Sequence, residues 1–205
     1  IDSGIYLFDP DIDYFVVGDT IQRDFGGATI YNATQKTGYS DTTIQAVLDA
    51  ASPGDKIYVS AGTYAESLTI NKKITLIGEY GDERLVGPGS TPAILDGSGL
   101  SGPGIQIADG VSNVTIKGFE IKNYSSGGIA AQGAGINSIT VANNYIHGAG
   151  SNGVLGSGGS GALNSWDVSL NKIEEIAGVG VNLLNASESI ISKNEISGLV
   201  SGTKA

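Results

Sequence analysis

The stretch Gly104-Ile105-Gln106-Ile107 begins a sequence unit that returns every 24 to 27 residues. The same start recurs at Gly128-Ile129, Gly153-Val154 and Gly180-Val181. Within each unit, short apolar runs alternate with Gly, Asn and Ser, a pattern typical of solenoid repeats. One coil of this kind cannot bury its own apolar face, so successive coils must stack. The pattern therefore predicts an all-β fold, a parallel β-solenoid.

Two sets of apolar residues recur at matching places in the units. The first set is expected to stack in register as an interior ladder, and it consists of Ile116, Val141, Val168 and Ile191. The second set closes each unit, and it consists of Ile121, Ile146, Ile173 and Ile196.

Asparagine precedes the closing isoleucine by two residues in the last three units, at Asn144, Asn171 and Asn194. Asparagine favours turns and tolerates the left-handed αL conformation. Stacked amides can also hydrogen-bond to one another along the rod. The spacing predicts an asparagine ladder that begins at Asn144, because Phe119 occupies the matching place one unit earlier.

Residues 42–52 are expected to form a short amphipathic helix that covers the open end of the first coil. Asp41 or Thr42 can serve as its N-cap, and Pro53-Gly54 ends it. Its predicted apolar face consists of Ile44, Val47, Leu48 and Ala51. Short strands are expected at 56–60, 61–64, 66–70 and 73–77, and about six coils are expected in total.

Three motifs stand at the start of this region: Thr43-Ile-Gln-Ala-Val-Leu-Asp-Ala-Ala-Ser-Pro-Gly-Asp55, Gly62-Thr-Tyr-Ala-Glu66 and Leu68-Thr-Ile-Asn-Lys-Lys-Ile-Thr-Leu-Ile-Gly78. With the units after Gly104, they resemble secreted right-handed parallel β-helix proteins of the pectin-lyase-like superfamily, over residues 43–197. The resemblance implies a right-handed parallel β-helix at a cell surface or outside the cell. It does not choose an activity, since the superfamily holds lyases, hydrolases, epimerases, adhesins and structural proteins.

Residues 1–26 differ from the rest and are interpreted as an acidic arm or cap before a β-helix domain at 27–205. The arm holds six aspartates and one arginine. Two strand-like runs supply its candidate assembly side chains: Ile5, Leu7, Phe8, Tyr14, Phe15 and Val17. Asp9, Asp11 and Asp13 are a candidate Ca²⁺ site, because oxygen-rich clusters suit this ion. The alternative is a solvated strand face, since alternate residues share one side.

Composition excludes some functions and favours a location. A net charge of −10 argues against nucleic acid, whose phosphates need a basic surface. The chain has no cysteine, and no apolar stretch reaches the ~18 residues of a membrane span. Four sequons would suit a glycosylated exterior protein, at Asn32, Asn113, Asn123 and Asn185.

No catalytic residue is predicted. The resemblance implies that a pectate lyase would hold Ca²⁺ with acids on successive coils beside a basic residue, and that a polygalacturonase would use aspartates on adjacent coils. The acids available are scattered and match neither motif: Asp109, Glu120, Asp167, Glu174, Glu175, Glu188 and Glu195. Glu79, Asp82, Glu83 and Arg84 are interpreted as a charged turn. His147 is expected in a turn, Trp166 in the core and Tyr145 at the surface.

The leading hypothesis is a non-catalytic, secreted structural or interaction protein. A last coil without a recognisable cap, and an arm with apolar strands, predict head-to-tail self-assembly into a filament or sheath. The arm can instead fold back on its own subunit, or the chain can be a piece of a longer surface protein. The alternatives are a polysaccharide lyase or glycoside hydrolase acting on an acidic polysaccharide, and a carbohydrate-binding module using Tyr and Asn side chains.

Overall fold

The computed structural model describes residues 13–17, 20–24, 27–79, 92–158, 163–198 and 200. The elements before the first coil are β1 (Asp13–Val17), β2 (Thr20–Asp24), β3 (Ile30–Asn32), β4 (Thr37–Tyr39) and α1 (Ile44–Ala50). The strands of the coils follow in chain order: β5 (Lys56–Val59), β6 (Gly62–Tyr64), β7 (Leu68–Ile70), β8 (Thr75–Gly78), β9 (Ala93–Asp96), β10 (Pro103–Ile107), β11 (Val114–Lys117), β12 (Phe119–Lys122), β13 (Gly127–Gln132), β14 (Ile139–Ala142), β15 (Tyr145–His147), β16 (Asn152–Ser157), β17 (Leu163–Asn164), β18 (Asp167–Ser169), β19 (Lys172–Glu174), β20 (Val181–Leu184), β21 (Ala186–Ser187), β22 (Ile190–Ser192) and β23 (Glu195–Ser197).

Three sheets of parallel strands run along the molecule, and this confirms the predicted parallel β-solenoid. Sheet 1 contains β7, β10, β13, β16 and β20; sheet 2 contains β5, β8, β11, β14, β18 and β22; sheet 3 contains β6, β9, β12, β15, β19 and β23. The strands β17 and β21 form a separate parallel pair. The described residues make slightly fewer complete coils than the six expected, because β22 and β23 have no following strand in sheet 1.

The interior ladder has the register that the repeat predicts. Ile116 pairs with Val141, Val141 with Val168, and Val168 with Ile191. The first three side chains are fully buried. Ile191 is 52 % exposed, so the expectation that it is interior is wrong. Within the described residues, Ile191 has a ladder neighbour on one side only, Val168, so its other side is not covered.

The helix α1 covers the first coil, as predicted, but it is shorter than residues 42–52. Its N-cap is Thr43, not Asp41 or Thr42, and the Thr43 hydroxyl accepts a hydrogen bond from the Ala46 amide. The expected apolar face is buried against the core. The Glu66 carboxylate accepts hydrogen bonds from the Ile44 and Gln45 amides at 2.9 and 3.0 Å, which joins the helix N-terminus to the first coil.

Two more side chains join α1 to the edge of sheet 1. The Gln45 side chain donates to the Thr69 carbonyl at 3.2 Å and accepts from the Thr69 amide at 2.7 Å. The side-chain amide of Gln45 therefore takes the place of a further strand beside β7. The Lys72 ammonium donates to the carbonyls of Leu48, Asp49 and Ala51 at the helix C-terminus. The outward-facing backbone groups of Thr69 in β7 are thus hydrogen-bonded by the Gln45 side chain.

The hairpin of β3 and β4 extends sheet 2 at the same end, since β3 pairs antiparallel with both β4 and β5. Asn32 in β3 is fully buried, and its side-chain nitrogen donates to Asp55 at 2.7 Å. Asp55 also accepts from the Gln35 side chain and the Ser52 amide. The expectation of a glycan at Asn32 is therefore corrected, because the folded protein leaves no room for one.

Three positions adopt αL in each of the last four coils, with φ between 51° and 79°. Their members are Asn113, Ser138, Ser165 and Glu188; Gly118, Asn143, Leu170 and Lys193; and Asn123, Gly148, Glu175 and Gly198. In the second of these sets, Asn143, Leu170 and Lys193 each come one residue before a ladder asparagine. The ladder asparagines therefore do not use the αL conformation that asparagine tolerates, and the residue before each of them does.

Leu170 is the residue in these columns least suited to αL, because its Cβ crowds the backbone there and its side chain is 51 % exposed. We expect Leu170→Asn to stabilise the fold by about 1 kcal/mol and to raise the melting temperature by about 2–4 °C. Val179→Asn is the matched control, since Val179 is 48 % exposed without a positive φ. An equal gain from both variants would contradict this assignment of backbone strain.

The strands β1 and β2 form an antiparallel hairpin in which Asp13 pairs with Asp24 and Val17 with Thr20. The predicted strand over Tyr14–Val17 thus lies in β1. The other predicted strand, Ile5–Phe8, and the candidate ligands Asp9 and Asp11 lie outside the described residues. The separation of the chain into an arm at 1–26 and a β-helix at 27–205 stays a prediction.

Candidate functional site

The structure brings Asn144, Asn171 and Asn194 together at the turn between sheets 2 and 3. The Asn144 side-chain nitrogen donates to Asn171 Oδ1 at 3.1 Å, and the Asn171 side-chain nitrogen donates to Asn194 Oδ1 at 3.0 Å. Each Oδ1 also accepts a hydrogen bond from a backbone amide of the coil before it. The Phe119 amide donates to Asn144, the Asn144 amide to Asn171, and the Asn171 amide to Asn194. Asn144 and Asn171 are 1 % exposed, so these bonds satisfy polar groups inside the rod.

A second ladder was not predicted. It follows the turn between sheets 1 and 2, where the Asn164 amide donates to Asn137 Oδ1 and the Asn137 amide donates to the Ser112 hydroxyl. The Ser187 hydroxyl continues the series to Asn164 Oδ1. Asn137 and Asn164 occupy equivalent places in successive units, so the repeat contains the signal for this ladder.

The outer face of sheet 3 brings several of the charged candidates together. Two columns of residues lie along it: Glu120, Tyr145, Lys172 and Glu195; and Asp96, Lys122, His147, Glu174 and Ser197. We call the seven residues from Asp96 to Glu174 in these columns the sheet 3 cluster. Its members are Asp96, Glu120, Lys122, Tyr145, His147, Lys172 and Glu174.

The sheet 3 cluster is an internally paired network. His147 Nε2 lies 3.0 Å from Glu120 Oε1, and Lys122 lies 3.4 Å from the same oxygen. The Lys172 ammonium lies 3.0 Å from Glu174 Oε2, and the Tyr145 hydroxyl donates to Glu174 Oε1. The Glu120–Lys122 and Lys172–Glu174 pairs each lie within one strand, whereas the contacts of Glu120 with His147 and of Glu174 with Tyr145 join neighbouring coils on the outer face of the sheet.

The expected exposure of Tyr145 is only partly met. Its ring stacks on His147 with centroids 4.3 Å apart, and the Lys172 ammonium lies over it at 4.7 Å from the centroid. The ring is thus already in contact with two side chains, which leaves little of it for stacking on a sugar. His147 lies in β15 and not in a turn, so that expectation is wrong.

Hydrogen bonding and burial shift the pKa values of Glu174 and Tyr145 in opposite directions. The hydrogen bond from Tyr145 and then that from Lys172 lower the pKa of Glu174. Burial and then the hydrogen bond to Glu174 raise the pKa of Tyr145. At neutral pH, Tyr145 is therefore protonated and donates, and Glu174 is ionised and accepts.

The other candidate acids do not join this cluster. Asp109, Glu175 and Glu188 are exposed in turns, and Asp167 lies on the outer face of sheet 2. Asp167 Oδ1 is buried without a hydrogen-bond partner. Glu79 accepts a hydrogen bond from the Ala61 amide. Asp82, Glu83 and Arg84 lie outside the described residues.

The last coil of the described chain, residues 181–197, presents an apolar surface. Ile191 and Ile196 are 52 % and 42 % exposed, whereas Val168 and Ile173, at the same places one coil earlier, are fully buried. Ile190 and Leu184 are also exposed. The outer backbone edges of β20, β22 and β23 have no strand beside them in the described residues. We call this surface the open coil.

The comparisons agree with this geometry. A family model described as a right-handed β-helix region matches residues 98–203, which is more than half of the chain. The chain belongs to the right-handed β-helix family. The resemblance to the pectin-lyase-like fold is thereby confirmed for this β-helix. No curated protein and no solved structure matches it.

The remaining predicted features of the β-helix can now be placed. Trp166 is buried, as expected, and its indole N–H donates to the Ile136 carbonyl at 3.2 Å. The sequon residues Asn113, Asn123 and Asn185 are exposed. Within the described ranges, acids and histidine form no metal-binding group of three or more. In the same ranges, no helix has the length and apolar character needed to cross a membrane.

We expect Tyr145→Phe to raise the pKa of Glu174, because this variant removes the first cause of its depression. A carboxyl with a lowered pKa in the folded state stabilises the fold above its unfolded pKa, and this contribution is lost as the pH falls through the folded value. The variant should therefore be less sensitive to acid than the wild type in this respect. Carboxyl-detected NMR titration measures the shift, and an unchanged Glu174 titration would contradict the assignment.

Proposed function

We propose that this β-helix is a non-catalytic structural or interaction protein of a cell surface or extracellular assembly, and that it self-associates through the open coil. The difference in exposure between Ile191 and Val168 carries this proposal, since both belong to one interior ladder. A core position that ends half-exposed is a surface suited to burial by a partner.

The energetics of the open coil support an interface. Fully burying an isoleucine side chain contributes roughly 1.5–3 kcal/mol, so covering the exposed halves of Ile191 and Ile196 contributes about 1 kcal/mol each. Unpaired strand edges add backbone donors and acceptors that pair with another strand. Both contributions act in the same place and favour association.

The lateral surfaces support a structural role. Glu120 and Glu174 are already paired with His147, Lys122 and Lys172 of the same face. The side-chain hydrogen bonds of the asparagine ladder likewise join neighbouring coils. These features hold one rigid rod together, which is the property that an extracellular scaffold requires. The superfamily resemblance and the exposed sequons support the extracellular location.

Light scattering over a range of concentrations, with negative-stain microscopy, tests the proposal. We expect the wild type to associate and Ile191→Asp to remain a folded monomer, because the carboxylate stays hydrated when the surface is free. Thr115→Asp, on the outer face of sheet 2, is the control and should associate normally. A wild type that is monomeric at every concentration contradicts the proposal.

Two further measurements separate the alternatives that the sequence leaves open. Deletion of residues 1–18 should abolish association if the arm makes the contact, and should leave it intact if the open coil suffices. A Ca²⁺-dependent rise in ultraviolet absorbance on a polyuronate, lost on adding a chelator, would instead support a lyase. Retention on a glycan without turnover would support a binding module.

A further inference from the structure

We propose that the acidic arm, residues 1–26, folds back on its own subunit and covers an apolar patch on the outer face of sheet 2. The patch consists of Tyr31, Tyr58 and Ile77, with Ala28 and Ala33 beside them. We call these five residues the outer patch. This inference goes beyond the proposed self-association, because it gives the arm a binding surface and does not depend on the open coil.

The outer patch is separate from the interior of the rod. Tyr31 pairs with Tyr58 in register, and Tyr58 pairs with Ile77, so these three residues form one column across sheet 2. Their chain neighbours Ile57 and Leu76 belong to the interior core. Successive side chains of a strand point to opposite faces of the sheet, so the outer patch lies on the outside of the coil.

The burial of the outer patch requires a covering segment. Tyr58 is 1 % exposed and Ile77 is 3 % exposed, although both point away from the core. Outward side chains stand roughly perpendicular to their sheet, so neighbours within the sheet cover their sides and not their ends. Among the described residues, only Ala28 and Ala33 join this column, and each supplies one methyl group. Two methyl groups are too small for this task, since one aromatic side chain buries about 150–250 Å².

The course of the chain brings the arm to this place. Ala28 packs on the outer patch, and the Thr29 amide donates to the Tyr39 carbonyl at 3.0 Å, which fixes the chain beside Tyr58. The arm ends directly before this point, and it contains two apolar runs, at residues 5–8 and 14–17. It therefore supplies hydrophobic side chains where the outer patch is covered.

The charges beside the outer patch are complementary to those of the arm. Lys117 pairs with Ile77 in register, and Lys56 lies two residues before Tyr58 on the same face of sheet 2. The arm carries six aspartates and one arginine. Its carboxylates can therefore approach both ammonium groups while its apolar residues lie on the outer patch, and this match favours the arm as the covering segment.

Zero-length cross-linking of the wild-type full chain tests this inference. A carbodiimide joins a lysine ammonium to a carboxylate in contact with it, and mass spectrometry of the digest identifies the pair. We expect Lys56 or Lys117 to be joined to an aspartate of residues 1–26. In a mixture of isotope-labelled and unlabelled protein, these pairs should lie within one chain. The internal control is Lys122 with Asp96, whose charged groups lie 4.0 Å apart.

A cysteine variant measures the cover itself, because the chain has no cysteine of its own. Ile77→Cys replaces a residue of the outer patch. Ser169→Cys is the control, since Ser169 is partly exposed in the same column, three strands further along sheet 2. We expect Ile77→Cys in the full chain to react with a thiol reagent at least about tenfold more slowly than Ser169→Cys. Equal rates would overturn the inference.

The remaining outcomes separate this inference from the proposed self-association. Cross-links from Lys56 and Lys117 to residues 80–91 in place of the arm would overturn it, as would no arm cross-link when the internal control is found. Pairs between labelled and unlabelled chains would show that the arm reaches a neighbouring subunit; self-association would survive and folding back would fail. A protein that is monomeric at every concentration, with the expected cross-links, would overturn self-association alone.

Discussion

Val141→Asp is expected to remove the cooperative melting transition or to lower its midpoint by about 15 °C. Val141 is fully buried between Ile116 and Val168, and the new carboxylate would have no partner there. Burial without a partner raises the pKa of an acid so far that the folded protein must bind a proton at neutral pH, which costs about 4 kcal/mol relative to an unfolded aspartate. Together with the lost packing of Val141, this cost is a large part of the whole stability of many domains.

Thr115→Asp is the matched control for Val141→Asp, because Thr115 faces outward on the neighbouring strand of the same sheet. Circular dichroism melting of the two variants compares a buried with a hydrated carboxylate on adjacent coils. A wild-type melting temperature for Val141→Asp would show that the register of the interior ladder is wrong.

The second largest effect is expected for Asn171→Ala, at about 1–3 kcal/mol of stability. The side chain of Asn171 accepts from the Asn144 amide and side chain and donates to Asn194 Oδ1 and to the Val141 carbonyl. Alanine leaves the Asn144 amide and the Val141 carbonyl without these partners inside the rod. Urea denaturation measures the loss as a change in the transition midpoint.

Asn152→Ala is the control for the ladder. Asn152 is only partly buried, and its side chain makes two weaker bonds, to Ser151 and from the Val179 amide at 3.2 and 3.3 Å. The variant Asn152→Ala should therefore lose much less stability than Asn171→Ala. Equal losses from the two variants would remove the asparagine ladder as a major source of stability.

The repeat allowed much of the interior to be predicted, because stacking places residues of one period in register. The ladder through Ile116, Val141 and Val168 and the burial of Trp166 follow from that period alone. The exposure of Ile191 did not follow, because burial depends on a neighbour as well as on register. The αL positions before the ladder asparagines did not follow either, because Leu170 and Lys193 are not residue types that favour αL.

The side-chain contacts between distant residues could not be predicted in the same way. Gln45 and Thr69 are bonded across 24 positions of sequence, and Gln45 lies in the helix α1, outside the repeated motif. The sheet 3 cluster places Glu120, Tyr145 and Lys172 in one column, so the residue type changes from each coil to the next. Only the three-dimensional register shows that these unlike residues are neighbours.

Hydrogen exchange measured by mass spectrometry at several protein concentrations tests most directly whether the open coil is the contact surface. The account predicts that amides of residues 181–197 become protected as concentration rises, while those of α1 and the β3–β4 hairpin do not change. Exchange of residues 181–197 that is independent of concentration, or protection that appears only at the N-terminal end, would contradict it.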